Sequence, residues 1–438
     1  MNNNLNLLMA ISFAAMTMVG CSDKTPIDNT AQMGGAPELP PAQNFLVPPM
    51  KVPTFKGWIG DAKPSVAQGL KIEKIADNLL HPRQLFTVSN GDILVVESNG
   101  PGEEAITTPK QLIASKVKNK SGKGAKGGNR ISLLRQNTAG QWEKYIFLEG
   151  LHSPFGLQVV GNYLYVANTN NVMRYPFVAG QTKITDQGVE LADLPDTINH
   201  HWTKSMVVSP DQTKLYVGVG SNSNIGENGL DIEYRRAAIL EMDINSGASR
   251  IYASGVRNPT GLQFEPTSNI LWAIANERDE IGSSLVPDYL TSVKDGGFYG
   301  WPYSYYGQHV DTRVKKQRPD LVAKAIKPDY ALGSHVAALG LWFYNGTGLP
   351  AHYRGGAFVS NHGSWNRTPL SGYDVVFIPF SHGKPNGKPV PVVTGFHSKD
   401  ESQLFGAPVG LTQDNSGALL IADDVGNTVW RVSSQALK

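Results

Sequence analysis

Ser153-Pro154-Phe155-Gly156-Leu157 runs into Tyr163-Leu164-Tyr165-Val166-Ala167, and Asn258-Pro259-Thr260-Gly261-Leu262 runs into Ile270-Leu271-Trp272-Ala273-Ile274. Each pair is a turn bearing Pro or Gly, an apolar strand, a polar turn and a second strand rich in β-branched and aromatic residues, the pattern of an antiparallel hairpin. The unit recurs at His81-Pro82-Arg83-Gln84-Leu85 with Asp92-Ile93-Leu94-Val95-Val96, and from His201 through Met206-Val207-Val208 to Lys214-Leu215-Tyr216-Val217-Gly218. It returns at Ala337-Ala338-Leu339-Gly340-Leu341 and at Ala407-Pro408-Val409-Gly410-Leu411 with Ala418-Leu419-Leu420-Ile421-Ala422. The six starts lie 72, 48, 57, 79 and 70 residues apart. Such uneven spacing opposes a simple short repeat and suits propeller blades of four strands with loop insertions of different length. The predicted fold class is all-β, a six-bladed β-propeller of four-stranded antiparallel blades over residues 54–438. An early strand, Leu70 to Leu79, is placed to pair with the last blade and close the ring.

Composition agrees. The 438 residues carry 39 Lys+Arg against 37 Asp+Glu, a formal charge of +2 that disfavours a nucleic-acid partner. Only 17% of residues are charged, while 46 Gly and 28 Pro exceed the usual share of about 12% for the two together. That balance opposes both a disordered chain and a long-helix protein. The one cysteine, Cys21, rules out an intrachain disulfide and every Cys-rich zinc motif.

Leu5 to Gly20 is an apolar run ending in Met18-Val19-Gly20-Cys21, which resembles the lipobox of bacterial lipoproteins. It predicts a signal peptide over 1–20, a lipid anchor at Cys21 and a place on the periplasmic side of a bacterial membrane, with Ser22 favouring the outer membrane. An ordinary signal peptide or an uncleaved anchor is the alternative, although the run is short beside the roughly twenty residues of a bilayer span. No later segment is apolar for long enough to cross. Residues 21–53 are Pro- and Gly-rich without hydrophobic period and read as a tether. Six Lys/Arg and no acid lie between Lys116 and Arg130, in a Gly-rich insertion near 101–130. It reads as a solvated loop or as a contact for an anionic surface.

A propeller leaves its interstrand loops free at the rim of the central channel, so chemistry is expected there. Asn199-His200-His201-Trp202 precedes an innermost strand and puts an imidazole, with its ordinary pKa near 6.5, where a general base is useful. A histidine that only hydrogen-bonds is the alternative. Neighbours in an extended segment point to opposite faces, so the two imidazoles do not make a metal site. Arg257-Asn258 offers a planar fork suited to carboxylates and quinone oxygens, or else a brace between blades. The turn Asn276-Glu277-Arg278-Asp279-Glu280 supplies hard oxygens of the kind calcium takes, or is a solvated acidic turn. Asp295-Gly296-Gly297-Phe298-Tyr299-Gly300-Trp301-Pro302 interleaves Gly with aromatic rings, as a flat surface for a sugar or cofactor ring or as a packed loop. Ser334-His335 and His362-Gly363-Ser364-Trp365-Asn366-Arg367 add imidazoles, an amide and a guanidinium.

Taken in order, His201, Gly220 to Asn224, Gly255 to Leu262, Asn276 to Gly282, Gly296 to Pro302, His362 to Arg367 and Val409 to Asp424 resemble the soluble-type pyrroloquinoline quinone (PQQ)-dependent sugar dehydrogenases, the sorbosone dehydrogenase branch above all. The resemblance covers about residues 70 to 435. It implies a propeller holding PQQ and calcium at one end of its channel, a small-molecule sugar or aldehyde sugar as substrate, and an electron acceptor that the sequence does not name. It places His201 on the catalytic base, ten positions before Asp211, and Arg257 and Asn258 on the pair that contacts the quinone. Main-chain oxygens around Arg278 and Asp279, next to Glu277, fall on the calcium-holding segment. Arg367, with His335, falls near the basic group for the PQQ carboxylates. Ala407 stands where relatives often show Arg, which implies one ionic contact fewer to the cofactor. A lactonase with a channel metal, or a non-catalytic glycan-binding propeller lipoprotein, is the competing reading.

Overall fold

The computed structural model describes residues 28–43, 50–102, 109–197 and 200–435, with side chains of the one long helix from Ser115 onward; the signal peptide and Cys21 lie outside the described residues. Six antiparallel sheets form the blades of a β-propeller. Pro82–Thr87, Gly156–Val160, Lys204–Val208, Pro259–Phe264, Ala338–Phe343 and Pro408–Gln413 are the innermost strands, and they touch in ring order around the channel. Each pairs with the strand that follows it: Ile93–Glu97, Tyr163–Ala167, Lys214–Val219, Leu271–Ala275, Ala357–Asn361 and Leu419–Asp423. The expected closure is present. Leu70–Ala76 is the outermost strand of the sixth blade, antiparallel to Thr428–Ser434 with Ile72 opposite Val432.

The strand period of two explains how the blades stack. Along Lys214–Val219 the side chains of Leu215, Val217 and Val219 enter one apolar seam with Tyr165 and Val172 of the preceding blade, and Tyr216 enters the next. In Leu271–Ala275 the odd residues face the third blade and Trp272 and Ile274 face the fifth. Each strand is therefore apolar on both faces, as a strand covered on both sides must be. Buried hydroxyls tie neighbouring innermost strands together. Ser205 Oγ donates to the Pro259 carbonyl at 2.7 Å and Thr260 Oγ1 to that of Ala338 at 2.6 Å, and Ser360, from the second strand of the fifth blade, makes a like contact to Val409 of the sixth. Gly340 allows that last approach, because a Cβ there would stand 2.1 Å from the Val409 oxygen.

Two segments depart from the sequence expectation. Part of the Pro-rich stretch docks: Met33–Gly34 is a fifth strand on Tyr330–Ser334, and buried Gln32 donates from Nε2 to the Ser284 carbonyl at 2.9 Å. An exposed sheet edge carries unpaired backbone groups, and even two residues of extended chain satisfy some of them. The basic insertion contains a helix, Pro109–Lys120, with Pro at its first position and Lys, Gln, Leu and Ala behind it, all favourable there.

Candidate functional site

The hairpin register decides where the loops meet. Lys204 lies opposite Val219, Pro259 opposite Ala275, Ala338 opposite Asn361 and Pro408 opposite Asp423. The residues before each innermost strand and after its partner therefore gather at one mouth of the channel.

His201 is half-buried there. Its Nδ1 lies 2.8 Å from the carbonyl oxygen of Ser221 and 3.1 Å from the Ser221 Oγ. A carbonyl only accepts, so Nδ1 is assigned the proton and Nε2 the lone pair. Nε2 has no hydrogen-bond partner among the described residues. Burial first, then Arg257 and His200, hold the imidazole well below its ordinary pKa, so it is neutral at pH 7. His200 is exposed, with its ring edge-on to that of His201 at 4.7 Å between centroids. Gly220 makes room: a Cβ there would stand 2.4 Å from His201 Cβ and 2.5 Å from Asn258 Oδ1.

Arg257 is buried near His201. It donates from Nη1 to the Glu277 carbonyl at 2.7 Å and from Nη2 to Asn224 Oδ1 at 2.9 Å, with Asp279 Oδ2 at 3.5 Å. Asn258 Oδ1 is buried with no hydrogen-bond partner. The turn behind them is fixed by Asp288, which accepts from the Glu277 N–H at 2.8 Å and the Ala337 N–H at 2.7 Å.

Several residues read from the sequence as cofactor or calcium contacts are otherwise engaged. Arg278 is fully buried and turned outward, donating to Glu277 Oε2 at 3.1 Å, to Asp311 Oδ2 at 3.1 Å and to the Ser304 carbonyl at 2.7 Å. The carbonyls of Glu277 and Asp279, read as calcium ligands, accept from Arg257 and Arg313, the latter at 3.0 Å. The Asp279 carboxylate does face the channel, accepting from Asn366 Nδ2 at 2.7 Å. His335 spends both nitrogens on protein: Nε2 lies 2.9 Å from the Gly282 carbonyl and Nδ1 receives Asn366 at 3.4 Å. It buttresses the site rather than offering a free donor. Arg367 is turned away, bonding the carbonyls of Pro369 and Ser334 and, at 2.7 Å, Asn29 Oδ1 of the docked N-terminal segment. A guanidinium takes the nearest carbonyls that match its fork, and for these two arginines those lie outside the channel.

A second charged group lies against Trp202. Arg83 pairs from Nη1 with Asp424, its Nε is buried without a partner, and its Cζ lies 5.2 Å from the Trp202 ring. His362 Nε2 reaches Asp424 at 2.9 Å, and His81 Nδ1 lies 3.8 Å away with no hydrogen bond. Burial pushes the Asp424 carboxyl up, but His362 and Arg83 outweigh it and hold it well below the usual range. Burial lowers His362 to about 4, so at neutral pH the pair is a neutral imidazole donating to a carboxylate. Arg83 and Asp424 were not singled out in the sequence. The available signal was position, since Arg83 stands at the entry to its innermost strand as His201 and Arg257 do. Ala407 is buried beside them, its N–H donated to Asp423 Oδ1 at 2.8 Å.

With this arrangement described, residues 64–288 and 306–435 match the TrAA12-like family. The chain belongs to that family. An uncharacterized protein of Borreliella burgdorferi is 27% identical to this TrAA12-like chain over 299 residues, 66% of this chain and 77% of that one. A pyrroloquinoline quinone-dependent pyranose dehydrogenase of Coprinopsis cinerea is 24% identical over 380 residues, 74% of this chain and 47% of the fungal protein, so the chain spans about half of that relative's length. Among solved structures, a Trichoderma reesei carbohydrate-active enzyme of family AA12 superposes with a TM-score of 0.68 at 18% identity, over 90% of this chain and all of that one. At that identity the likeness speaks to the fold.

Proposed function

We propose that the chain is a PQQ-dependent dehydrogenase that oxidises a sugar or aldehyde sugar, with calcium bound beside the cofactor. The observation that carries this reading is His201, locked at Nδ1 and open at Nε2, next to the buried Arg257-Asn258 pair. The name of the fungal relative, which matches 74% of this chain, supports it.

The residues present fit a flat, anionic quinone. Asn258 Oδ1 and Arg83 Nε are buried polar atoms at one mouth without hydrogen-bond partners among the described residues, and unpaired buried polar groups are costly unless a ligand completes them. Arg257 and Asn258 would hold the quinone edge, Trp202 would lie against the ring, and Arg83 with His362 would receive carboxylates. For calcium the hard oxygens facing the channel are the Asp279 carboxylate and the Asn258 amide. A bound calcium would also compete with Arg257 for the Glu277 carbonyl, and its remaining positions would need oxygens from the cofactor. When bound, PQQ with calcium supplies a hydride acceptor.

The chain's own contribution is acid–base and electrostatic. His201 Nε2 takes the proton of the sugar hydroxyl while the Ser221 carbonyl steadies the imidazolium through Nδ1. Arg257 sits where negative charge develops and stabilises it in a buried setting. The experiment is reconstitution with PQQ and calcium followed by an aldose panel with an artificial electron acceptor. Loaded protein that no sugar reduces would overturn the reading.

We also propose that the precursor is lipidated at Cys21 and held on the periplasmic side of a bacterial membrane. The apolar run before Cys21 supports this; among the described residues no helix is long and apolar enough to cross a bilayer. Unchanged membrane retention of Cys21→Ala, with no loss of lipid label, would contradict it.

A further inference from the structure

Two electrons taken from a sugar have to leave the mouth, and the basic insertion stands at its rim. Gly100, at the start of the insertion, lies against Trp202: a Cβ there would be 2.9 Å from an indole ring carbon. Asn99 Nδ2 donates to the carbonyls of Lys123 at 3.0 Å and Ala125 at 2.6 Å. Lys123 Nζ donates to the Gly363 carbonyl and the Tyr373 hydroxyl, each at 3.2 Å. The insertion is thereby fastened to the residue after the base and to the residue after His362. Beyond this anchor Lys116, Lys118, Lys120 and Lys126 are exposed, and no described carboxylate pairs with any of them. Although His200 keeps an exposed edge, the packing around its imidazole, then Arg257 and then Lys118 lower it to about 4, so Lys118 stands close to the site. Two acids act on the same imidazole in the opposite sense, Asp279 and then Glu227; Asp279 accepts from Asn366 Nδ2 at 2.7 Å, and Glu227 from the N–H groups of Asn224 at 3.1 Å and Ile225 at 2.7 Å. The chain as a whole is nearly neutral, at +2, so this is a local cationic face beside the site.

We propose that Lys116, Lys118, Lys120 and Lys126 form the docking surface for a small acidic one-electron carrier protein that reoxidises the reduced cofactor. The inference rests on the dehydrogenase reading above. Each turnover leaves two electrons and two protons on the cofactor; two carrier molecules in succession accept one electron each, and the two protons pass to water. Complementary charge at the rim raises the encounter rate and orients the carrier toward the mouth.

The test replaces all four exposed lysines, as Lys116→Gln, Lys118→Gln, Lys120→Gln and Lys126→Gln together, and keeps Lys123 because it anchors the loop. Reconstituted enzyme, reduced by a sugar or in a parallel arm by borohydride, is mixed with an acidic blue-copper protein, a basic c-type cytochrome or hexacyanoferrate(III). Reoxidation is followed by stopped flow. At low salt the variant's second-order rate constant with the acidic carrier should fall roughly tenfold or more. The difference should shrink near 1 M salt, where the screening length is about 3 Å. The basic carrier should be unaffected or faster, and reduction by sugar unchanged. Equal rates for parent and variant with the acidic carrier at low salt would overturn the proposal, as would an effect confined to hexacyanoferrate, which would mean a small-anion effect without protein docking. The borohydride arm reads the lysines even where no sugar reduces the enzyme, and that failure would count against the dehydrogenase reading alone. Calorimetric titration of the acidic carrier into cofactor-free protein adds a readout without redox chemistry: lysine-dependent, salt-sensitive binding supports the surface, and no binding contradicts it.

Discussion

At the end of the channel away from His201, Asp211 and Asp243 sit in exposed turns between strands. Asp211 Oδ1 accepts from Ser209 Oγ at 2.6 Å and from the Thr213 N–H at 3.1 Å, and Asp243 Oδ1 accepts from the Ser246 N–H at 3.0 Å. Those hydrogen bonds, with Lys214 also on Asp243, keep both carboxyls below their ordinary range. At the mouth Asp423 and Asp424 are buried instead and Asp374 is half-buried. Asp374 and Asp423 are each pushed up to about 6, chiefly by loss of solvent, whereas Asp424 is held low by His362 and Arg83. One end uses aspartate to close turns within a few residues of itself. At the other end Asp424, through Arg83 and His362, and Asp279, through Asn366, hold loops from different blades against one another, and Asn258 Oδ1 and Arg83 Nε are left there without partners among the described residues.

The sharpest way to break this contrast is to act on His201, the proposed base. His201→Ala should lower turnover by roughly 10² to 10⁴ at full PQQ loading, and His200→Ala should change it far less. Steady-state rates with an aldose and an artificial acceptor measure both, and near-parental turnover in His201→Ala would dissolve the distinction between the two ends. Next in size, Arg83→Gln should weaken PQQ binding roughly 10- to 100-fold, the value of about 1.5–3 kcal/mol for a hydrogen bond to a charged group. Equilibrium titration checks this, with thermal melting to confirm folding.

The buried acids sharpen the contrast through pH. The unfolded Asp374 ionises above its ordinary 3.8, while the folded one stays protonated to about 6. Its contribution is therefore favourable below the unfolded pKa and is lost as pH rises from about 4 to 6, after which it is flat. Asp374→Asn should gain on the parent across that window by up to about 3 kcal/mol, at roughly 1.4 kcal/mol per pKa unit. Denaturant unfolding at several pH values measures it, and a pH-independent difference would refute the assignment. The smallest effect belongs to the far end. Asp211→Ala should lower the melting temperature slightly and leave turnover and PQQ affinity unchanged.

The architecture was legible because hairpins are local: alternation along Lys214–Val219 or Leu271–Ala275, and the turns beside them, are written in consecutive residues. Even the closing strand could be read, since Leu70–Ala76 had an apolar face and no neighbour of its own. The gathering of His201, Arg257, Asn258 and Asp279 at one mouth was legible because they flank those strands. The directions of the Arg278 and Arg367 side chains were not, because a guanidinium's direction depends on which carbonyls the finished fold brings near. Arg83 and Asp424 are separated by 341 residues and meet only because the ring closes. The docking of Met33–Gly34 depends likewise on a sheet edge three hundred residues away.

PQQ titrated into the cofactor-free protein, with calcium and then with chelator, and followed by quinone absorbance before and after addition of an aldose, tests the central claim most directly. The account predicts saturable binding at the mouth that calcium strengthens, with loss of the oxidised-quinone signal when a sugar substrate is added. Absence of binding, equal affinity with and without calcium, or a bound quinone that His201→Ala and the parent reduce at the same rate would contradict it.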